Sequence, residues 1–199
     1  MGIDAKKVYV GRPEQSTTVG ALSYGTVITS IPATYDAAAT AITGFTSSGY
    51  ISEDGATLTV DKSTTDIVDW AKNKVRRVCE SVDGSINTDL IQLDENSAKQ
   101  TFGPDNVTKT AANTTHGEQL KIAVGAHVDA PRAWALRIKD GDMKMIVLIP
   151  NGQVTSGVEI TFVANEPIKL PITISANDDG TGTNNCLYIY TDDGQKTSA

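Results

Sequence analysis

Residues 134–149 have the sequence WALRIKDGDMKMIVLI, which predicts two strands joined by a turn. Trp134, Leu136 and Ile138 alternate with smaller or charged residues, a pattern typical of a strand with one buried face. Asp140-Gly141 is a turn signal. The apolar run that follows, residues 143–149, predicts a strand that is covered on both faces.

Further strand patterns follow this pair along the chain. Apolar residues alternate with polar ones in residues 158–162 and 168–174, and residues 187–191 close the series. Pro171 lies inside the second run and predicts a free edge or a bulge there. Strands at this spacing predict a mainly β fold, either a two-sheet β-sandwich or an open barrel. Strands and helices do not alternate over a long run, which argues against a doubly wound fold.

The segment before these strands predicts another hairpin and one short flanking helix. Residues 75–82 and 86–93 resemble strands, and Asp83-Gly84 between them is a strong hairpin signal. Asp94 fits the N-cap of a helix over residues 94–103, which Gly103-Pro104 would end. Residues 36–42 are rich in alanine but too few to form a helix on their own.

The domain organisation follows from the polar stretches. Residues 1–20 predict an extended N-terminal arm, and residues 21–191 a single β domain. Residues 47–70 are long and polar, which predicts a projecting inter-strand loop. Residues 192–199 predict a flexible C-terminus.

The charge pattern leaves three interpretations open. The formal net charge is -7, so the overall field does not favour nucleic acid. A basic cluster nevertheless follows an acidic stretch. The cluster could contact nucleic acid, could pair locally on a solvated strand face, or could meet the acidic loop of another copy. The cluster is Lys72, Lys74, Arg76 and Arg77, and the acidic residues are Glu53, Asp54, Asp61, Asp66 and Asp69.

Catalytic and metal-binding patterns are not recognised in the sequence. His116 and His127 have no nucleophile in a recognisable setting beside them. Cys79 and Cys186 are far apart in sequence and predict two buried free thiols. No phosphate-binding loop, cofactor site, metal site or signal peptide is predicted. No membrane span is predicted either, because the longest apolar run, residues 145–150, is too short to cross a bilayer. The sequence therefore predicts a structural protein rather than an enzyme.

Five segments carry a family resemblance. They are Gly49-Tyr-Ile-Ser-Glu-Asp-Gly55, Thr64-Thr-Asp-Ile-Val-Asp-Trp70, Val75-Arg-Arg-Val78, Leu93-Asp-Glu-Asn96 and Thr101-Phe-Gly103. Together and in this order they resemble the major tail protein, or tail tube protein, of long-tailed bacteriophages.

The resemblance implies a virion protein that polymerises with itself. Subunits would form hexameric rings, and the rings would stack into a hollow tube that conducts DNA into the host during ejection. It implies further partners in the tape measure protein inside the tube and in the tail terminator and tail-tip proteins at its ends. Assembly would take place in the bacterial host cytoplasm, with no specific DNA binding and no membrane insertion.

In this family the arm and the long loop contact the adjacent ring, which implies contact residues here. We expect an acidic or neutral channel, with the basic cluster Lys72, Lys74, Arg76 and Arg77 at contacts between subunits. The expected inter-ring contacts are Val8, Tyr9, Arg12, Glu53, Asp54, Asp61, Lys62, Asp66 and Trp70.

Two alternatives remain. The chain could be the tube protein of a contractile tail or of a type VI secretion-like injection machine, with the same fold. It could instead be a monomeric β-sandwich binding module. Such a module favours clustered surface aromatics, whereas aromatic residues make up 6% of this chain and are spread along it.

Overall fold

A computed structural model describes residues 7–14, 20–125, 129–155 and 157–196. These residues form ten strands, two α-helices and a 3₁₀ turn at Pro104–Asn106. The helices are α1 Tyr35–Ala41 and α2 Glu95–Phe102. The strands are β1 Leu22–Gly25, β2 Thr46–Ser47, β3 Ile51–Val68, β4 Lys74–Leu90, β5 Val107–Thr110, β6 Gln119–Ile122, β7 Arg132–Asp140, β8 Met143–Val154, β9 Leu170–Ala176 and β10 Tyr188–Asp192.

Eight of the strands form one antiparallel sheet in the order β2-β1-β7-β8-β9-β4-β3, and β10 also pairs with β8. One edge of β8 is shared, because β10 pairs with its residues 144–148 and β9 with its residues 152–154. β5 and β6 form a separate two-stranded sheet. The prediction of a mainly β fold is confirmed. Within the part of the chain that the structure describes, the large sheet does not close, and β2 and β3 form its ends.

The core lies on both faces of β7 and β8. Trp134 and Ile149 belong to a cluster that extends to β4 and β9 and is joined by Phe102 of α2. Ala135 and Leu148 face the other way and pack against α1. This two-sided burial agrees with the apolar run predicted for β8.

Helix α2 begins and ends where the sequence predicts. The Ser97 N–H donates to Asp94 Oδ1 at 2.8 Å, and the Asp94 N–H donates to Ser97 Oγ at 2.9 Å. Gly103, with φ of 89°, follows the last turn. The prediction of a single helix is wrong, since α1 also forms. Thr34 caps it, and Ala38 and Ile42 bury one face against the sheet, so packing supports a segment that is too short to be stable alone.

The largest correction concerns residues 47–90. The predicted hairpin turn at Asp83-Gly84 is wrong, because both residues lie inside the continuous strand β4. The predicted loop over residues 47–70 is likewise mostly the strand β3, which pairs with β4 almost throughout. A Cβ at Gly84 would lie 2.4 Å from Leu187 Cδ2, so this glycine allows close packing rather than a turn.

Two other segments also differ from their predictions. Residues 158–162 have no strand structure despite their alternation. Of the predicted N-terminal arm, residues 12–14 lie along β7: the Lys139 N–H donates to Arg12 O, and the Glu14 N–H donates to Arg137 O. Residues 1–6, 15–19 and 197–199, which belong to the predicted arm and C-terminus, lie outside the described residues.

Candidate assembly surface

The outer half of the β3–β4 pair extends beyond the sheet. β9 pairs with β4 only from Gly84 to Leu90, so the part of β4 before Gly84 has β3 as its strand neighbour. We call residues 60–83 the hairpin arm. At about 3.3 Å per residue, the distance from Asp61 to Asp69, where the turn begins, is about 26 Å. Neither hydrophobic cluster includes a residue of this arm, so the sheet does not need it for its core.

The turn at the tip of the arm is held by one aspartate. The Asn73 N–H donates to Asp69 Oδ1 at 2.8 Å, and the Asn73 side-chain amide donates to Asp69 Oδ2 at 3.0 Å. These hydrogen bonds lower the pKa of Asp69. Lys72 adopts φ of 63° to complete the turn. The side chain of Trp70, in the turn, is fully exposed to solvent.

One face of the arm carries a charge cluster. Arg77 Nε lies 2.7 Å from Asp66 Oδ1, and Lys74 Nζ lies 2.6 Å from Asp66 Oδ2. Lys62 lies on the same face of β3, because residues two and four apart alternate to one side of a strand. The structure therefore shows local pairing for Lys74 and Arg77, one of the three interpretations of the basic cluster. Lys72 and Arg76 have no ion pair within the described residues.

Acid should loosen this face of the arm. The hydrogen bonds from Arg77 and then from Lys74 lower the pKa of Asp66 from 3.8 to about 2. Since the folded pKa lies below the unfolded one, the stabilisation is present above about pH 4 and is lost as the pH falls towards 2. We expect an NMR titration of the Asp66 carboxyl to give a midpoint near 2, with lower amide protection factors in the arm below it.

Two variants sharpen this titration. In Asp66→Asn the arm should lose the pH dependence of its amide protection factors, which are corrected for the intrinsic exchange rate, over that range. Asp61→Asn, on the opposite face, should keep it. An Asp66 midpoint close to 3.8 in the folded protein would contradict the pairing.

The opposite face of β3, β4 and β9 is mostly polar, with Ile67 and Val78 as apolar residues near the tip. It continues from the sheet into the arm, where Asp61 lies directly opposite Asp83 and Glu80 accepts a hydrogen bond from Thr65. Two like charges opposite each other destabilise a strand pair, so this face is more acidic than folding alone favours. We call it the polar face. In these three strands, all of which are described throughout, its residues within the sheet include Thr57, Thr59, Ser85, Asn87, Thr173 and Ser175, and Arg76 near the tip is its one cation.

The remaining predicted contact residues lie away from the arm. Glu53 and Asp54 lie at the beginning of β3, where Asp54 pairs with Lys169 at 2.7 Å. Val8 and Tyr9 are exposed in the N-terminal segment, and Arg12 lies beside β7. The structure thus brings together on the arm Asp61, Lys62, Asp66, Trp70, Lys72, Lys74, Arg76 and Arg77. Their roles as contact residues stay predictions.

An apolar groove was not predicted from the sequence. It lies between the end of α2, the end of β6, the end of β8 and residues 157–162, and has a volume of about 720 Å³. Phe162 and Val124, which line it, are 76% and 84% exposed. The alternation of residues 158–162 identifies apolar residues in this segment, but it predicts a half-buried strand and not an open groove.

The candidate catalytic groups have ordinary surroundings. His116 Nδ1 lies 2.7 Å from Gly117 O, and its ring is half-exposed in a loop. His127 lies outside the described residues. Both cysteines are free, as predicted. Cys186 is buried, and burial raises the pKa of its thiol. The prediction that Cys79 is buried is wrong, since it is exposed on the hairpin arm. Among the described residues, no group of three or more His, Cys, Asp or Glu is placed to hold a metal ion.

The helices in the described part of the chain are all too short and too polar to span a membrane. A comparison with protein-family models matches residues 15–199 with the model described as "Phage tail tube protein". No curated protein matches the chain.

Proposed function

The chain belongs to the phage tail tube protein family, and on that premise we propose that its copies form rings of six that stack into a hollow tube conducting DNA. The family is structural rather than enzymatic, and its members assemble with themselves and with other tail proteins as a component of the virion tail. The match over residues 15–199 is the observation that carries the proposal. The resemblance of the five segments from Gly49 to Gly103, which lie within the matched residues, agrees with it.

The sheet supports lateral joining within a ring. β3 is the end strand, and within the described residues no strand pairs with its outer edge. An exposed strand edge is a template for pairing with another chain, and a closed ring of subunits would hide the part of the β3 edge that precedes the hairpin arm. β2, at the other end, is a two-residue strand. We propose that sheet edges of neighbouring copies meet in this way around the ring.

The hairpin arm supports contact between rings. It extends about 26 Å from the sheet at about 3.3 Å per residue, presents unpaired backbone along β3, and ends in an exposed tryptophan. A contact between an arm on one copy and a different surface on the next is heterologous and can repeat without limit, which is the symmetry a tube requires.

The polar face supports the conduction of DNA. A surface of hydroxyl, amide and carboxylate groups does not neutralise phosphates, so it does not hold the duplex. We propose that the polar face lines the channel. Lys74 and Arg77 lie on the other face of the arm, as the expectation that basic residues serve contacts between subunits requires, whereas Arg76 lies on the polar face near the tip. Finding Lys74 and Arg77 in the channel would contradict this orientation.

The proposal extends to the setting of assembly. We propose that the tube forms in the bacterial host cytoplasm around the tape measure protein, and that the tail terminator and tail-tip proteins close its ends. Size-exclusion chromatography and negative-stain microscopy of the purified chain test self-assembly at increasing concentration. Rings or tubes with a central channel are expected. A stable monomer at high concentration would contradict the proposal and favour a monomeric binding module.

A further inference from the structure

Trp70 lies at the tip of the hairpin arm and is not buried by any other segment of the described residues. Its indole is wholly exposed, while the hydrogen bonds of Asp69 and Asn73 fix the turn beneath it. Val68 and Val75 beside it are 51% and 68% exposed, so the tip is apolar. Exposed tryptophans on rigid supports are typical binding hot spots, because little side-chain or backbone freedom is lost on association.

The groove is a matching receptor. Phe102, Val124 and Phe162 line it, and its volume of about 720 Å³ falls in the range of pockets that bury organic ring systems. Two of these side chains are mostly exposed, so filling the groove would remove a large apolar area from water.

The tip and the groove lie at opposite ends of β4. The strand leaves the turn at Lys74, and α2, whose last turn lines the groove, follows its other end at Leu90. The Thr155 N–H, at the groove, donates to Thr173 O, and Thr173 pairs with Asn87 near that same end. The arm therefore points away from the groove of its own chain. It can reach the groove of a second copy placed in line with the first.

The charges around the two surfaces are complementary. The tip presents Lys72 and Arg76, for which the described residues provide no ion pair. At the groove the exposed carboxylate Glu159 lies between the lining residues Val158 and Ile160. Opposite charges at the rim of an interface orient the encounter and favour this partner over others.

We propose that Trp70 of one copy is seated in the groove formed by Phe102, Val124 and Phe162 of a copy in the next ring. The proposal rests on the ring-stacking function proposed above and identifies its receptor. Since tip and groove are different surfaces, each copy both gives and receives one contact, and the chain of contacts continues along the tube.

Cross-linking tests the contact directly. In a Cys79→Ser background, Ala71→Cys places a thiol beside Trp70, and Gly157→Cys places one at the groove, where an added Cβ meets nothing within 4 Å. A short bismaleimide added to assembled protein should give a covalent ladder from the double variant. A mixture of the two single variants should give dimers and no ladder. Gly44→Cys, equally open but beside α1, replaces Gly157→Cys as the control and should give neither product.

A double-mutant cycle supplies a second readout. Trp70→Ser and Phe162→Ser should each raise the critical concentration for tube formation by roughly 30-fold, as expected for a hot spot. The double variant should be no worse than either single variant, because both changes remove the same contact. Thermal melting of the monomer is the control for folding. We expect both single variants to keep the melting transition of the wild type.

The outcomes separate this contact from the proposed function. Wild-type tubes with no ladder from Ala71→Cys and Gly157→Cys, or with additive effects in the cycle, would overturn the contact and leave the tube function standing. Wild-type protein that forms no rings or tubes would overturn both.

Discussion

A chain in which Asn-Gly replaces residues 63–81 is expected to fold normally and to form no tubes. Lys62 and Val82 are directly paired, and Asn-Gly between two paired strand residues forms the tight turn that joins them. The removed residues contribute to neither hydrophobic cluster, so the sheet keeps its core. The removed part carries Trp70 and the charge cluster, and with them the proposed contacts between rings.

The measurement compares assembly and folding in the same sample. Near-ultraviolet circular dichroism and thermal melting should match the wild type, while microscopy shows isolated subunits or single rings at most. The matched control is a full-length arm with Thr65→Ser, a change that keeps a hydroxyl beside Glu80. The control should form tubes normally. Tubes of ordinary length from the shortened chain would exclude the arm as the stacking element.

Replacing each of the two tryptophans by alanine should affect the stability of the monomer very differently. Trp134 is 1% exposed, its ring lies 5.5 Å from that of Tyr24, and its Nε1–H donates to Gly152 O at 3.4 Å. Trp134→Ala should lower the free energy of unfolding by about 3–5 kcal/mol, because a large cavity is left in the core. Trp70→Ala should change it by less than about 0.5 kcal/mol, as is usual for exposed sites.

Urea denaturation of the dilute monomer measures both values. The midpoint should fall in Trp134→Ala with a similar slope, and should stay unchanged in Trp70→Ala. Trp70→Ala should still impair tube formation. A large loss of monomer stability in Trp70→Ala would show that the arm belongs to the folding core, contrary to its exposure.

Local signals predicted the elements whose surroundings agree with them. Asp140-Gly141 joins β7 and β8, and Gly141 adopts φ of 62° as a tight turn requires. Asp94 and Gly103 limit α2 by capping that depends on neighbouring residues alone. Pro171 lies where β9 pairs with β4 but not with β8, so its predicted free edge is present.

The same kind of signal failed where packing between distant segments decides the structure. Asp83-Gly84 has the composition of a turn, but pairing of Gly84 with Val60 on one side and Ala176 on the other keeps it in a strand. Gly55, with φ of 74°, lies at a register shift in β3, so this glycine forms part of a bulge within the segment that was predicted as a loop.

The candidate surface was predicted in part for a related reason. Composition identified the charged residues of the arm, but strand register decides that Asp66 faces Arg77 while Arg76 lies on the other side. A shift of one residue would reverse these faces, and no sequence pattern in a polar strand fixes it. The groove depends on segments that are far apart in sequence, so its formation could not be predicted from one of them.

A high-resolution cryo-electron microscopy structure of the assembled protein tests the central claim most directly. We predict stacked rings around a channel, with the hairpin arm of each copy crossing into the adjacent ring and the polar face towards the channel. Arms that contact only copies within their own ring, or a channel lined by Lys74 and Arg77, would contradict it.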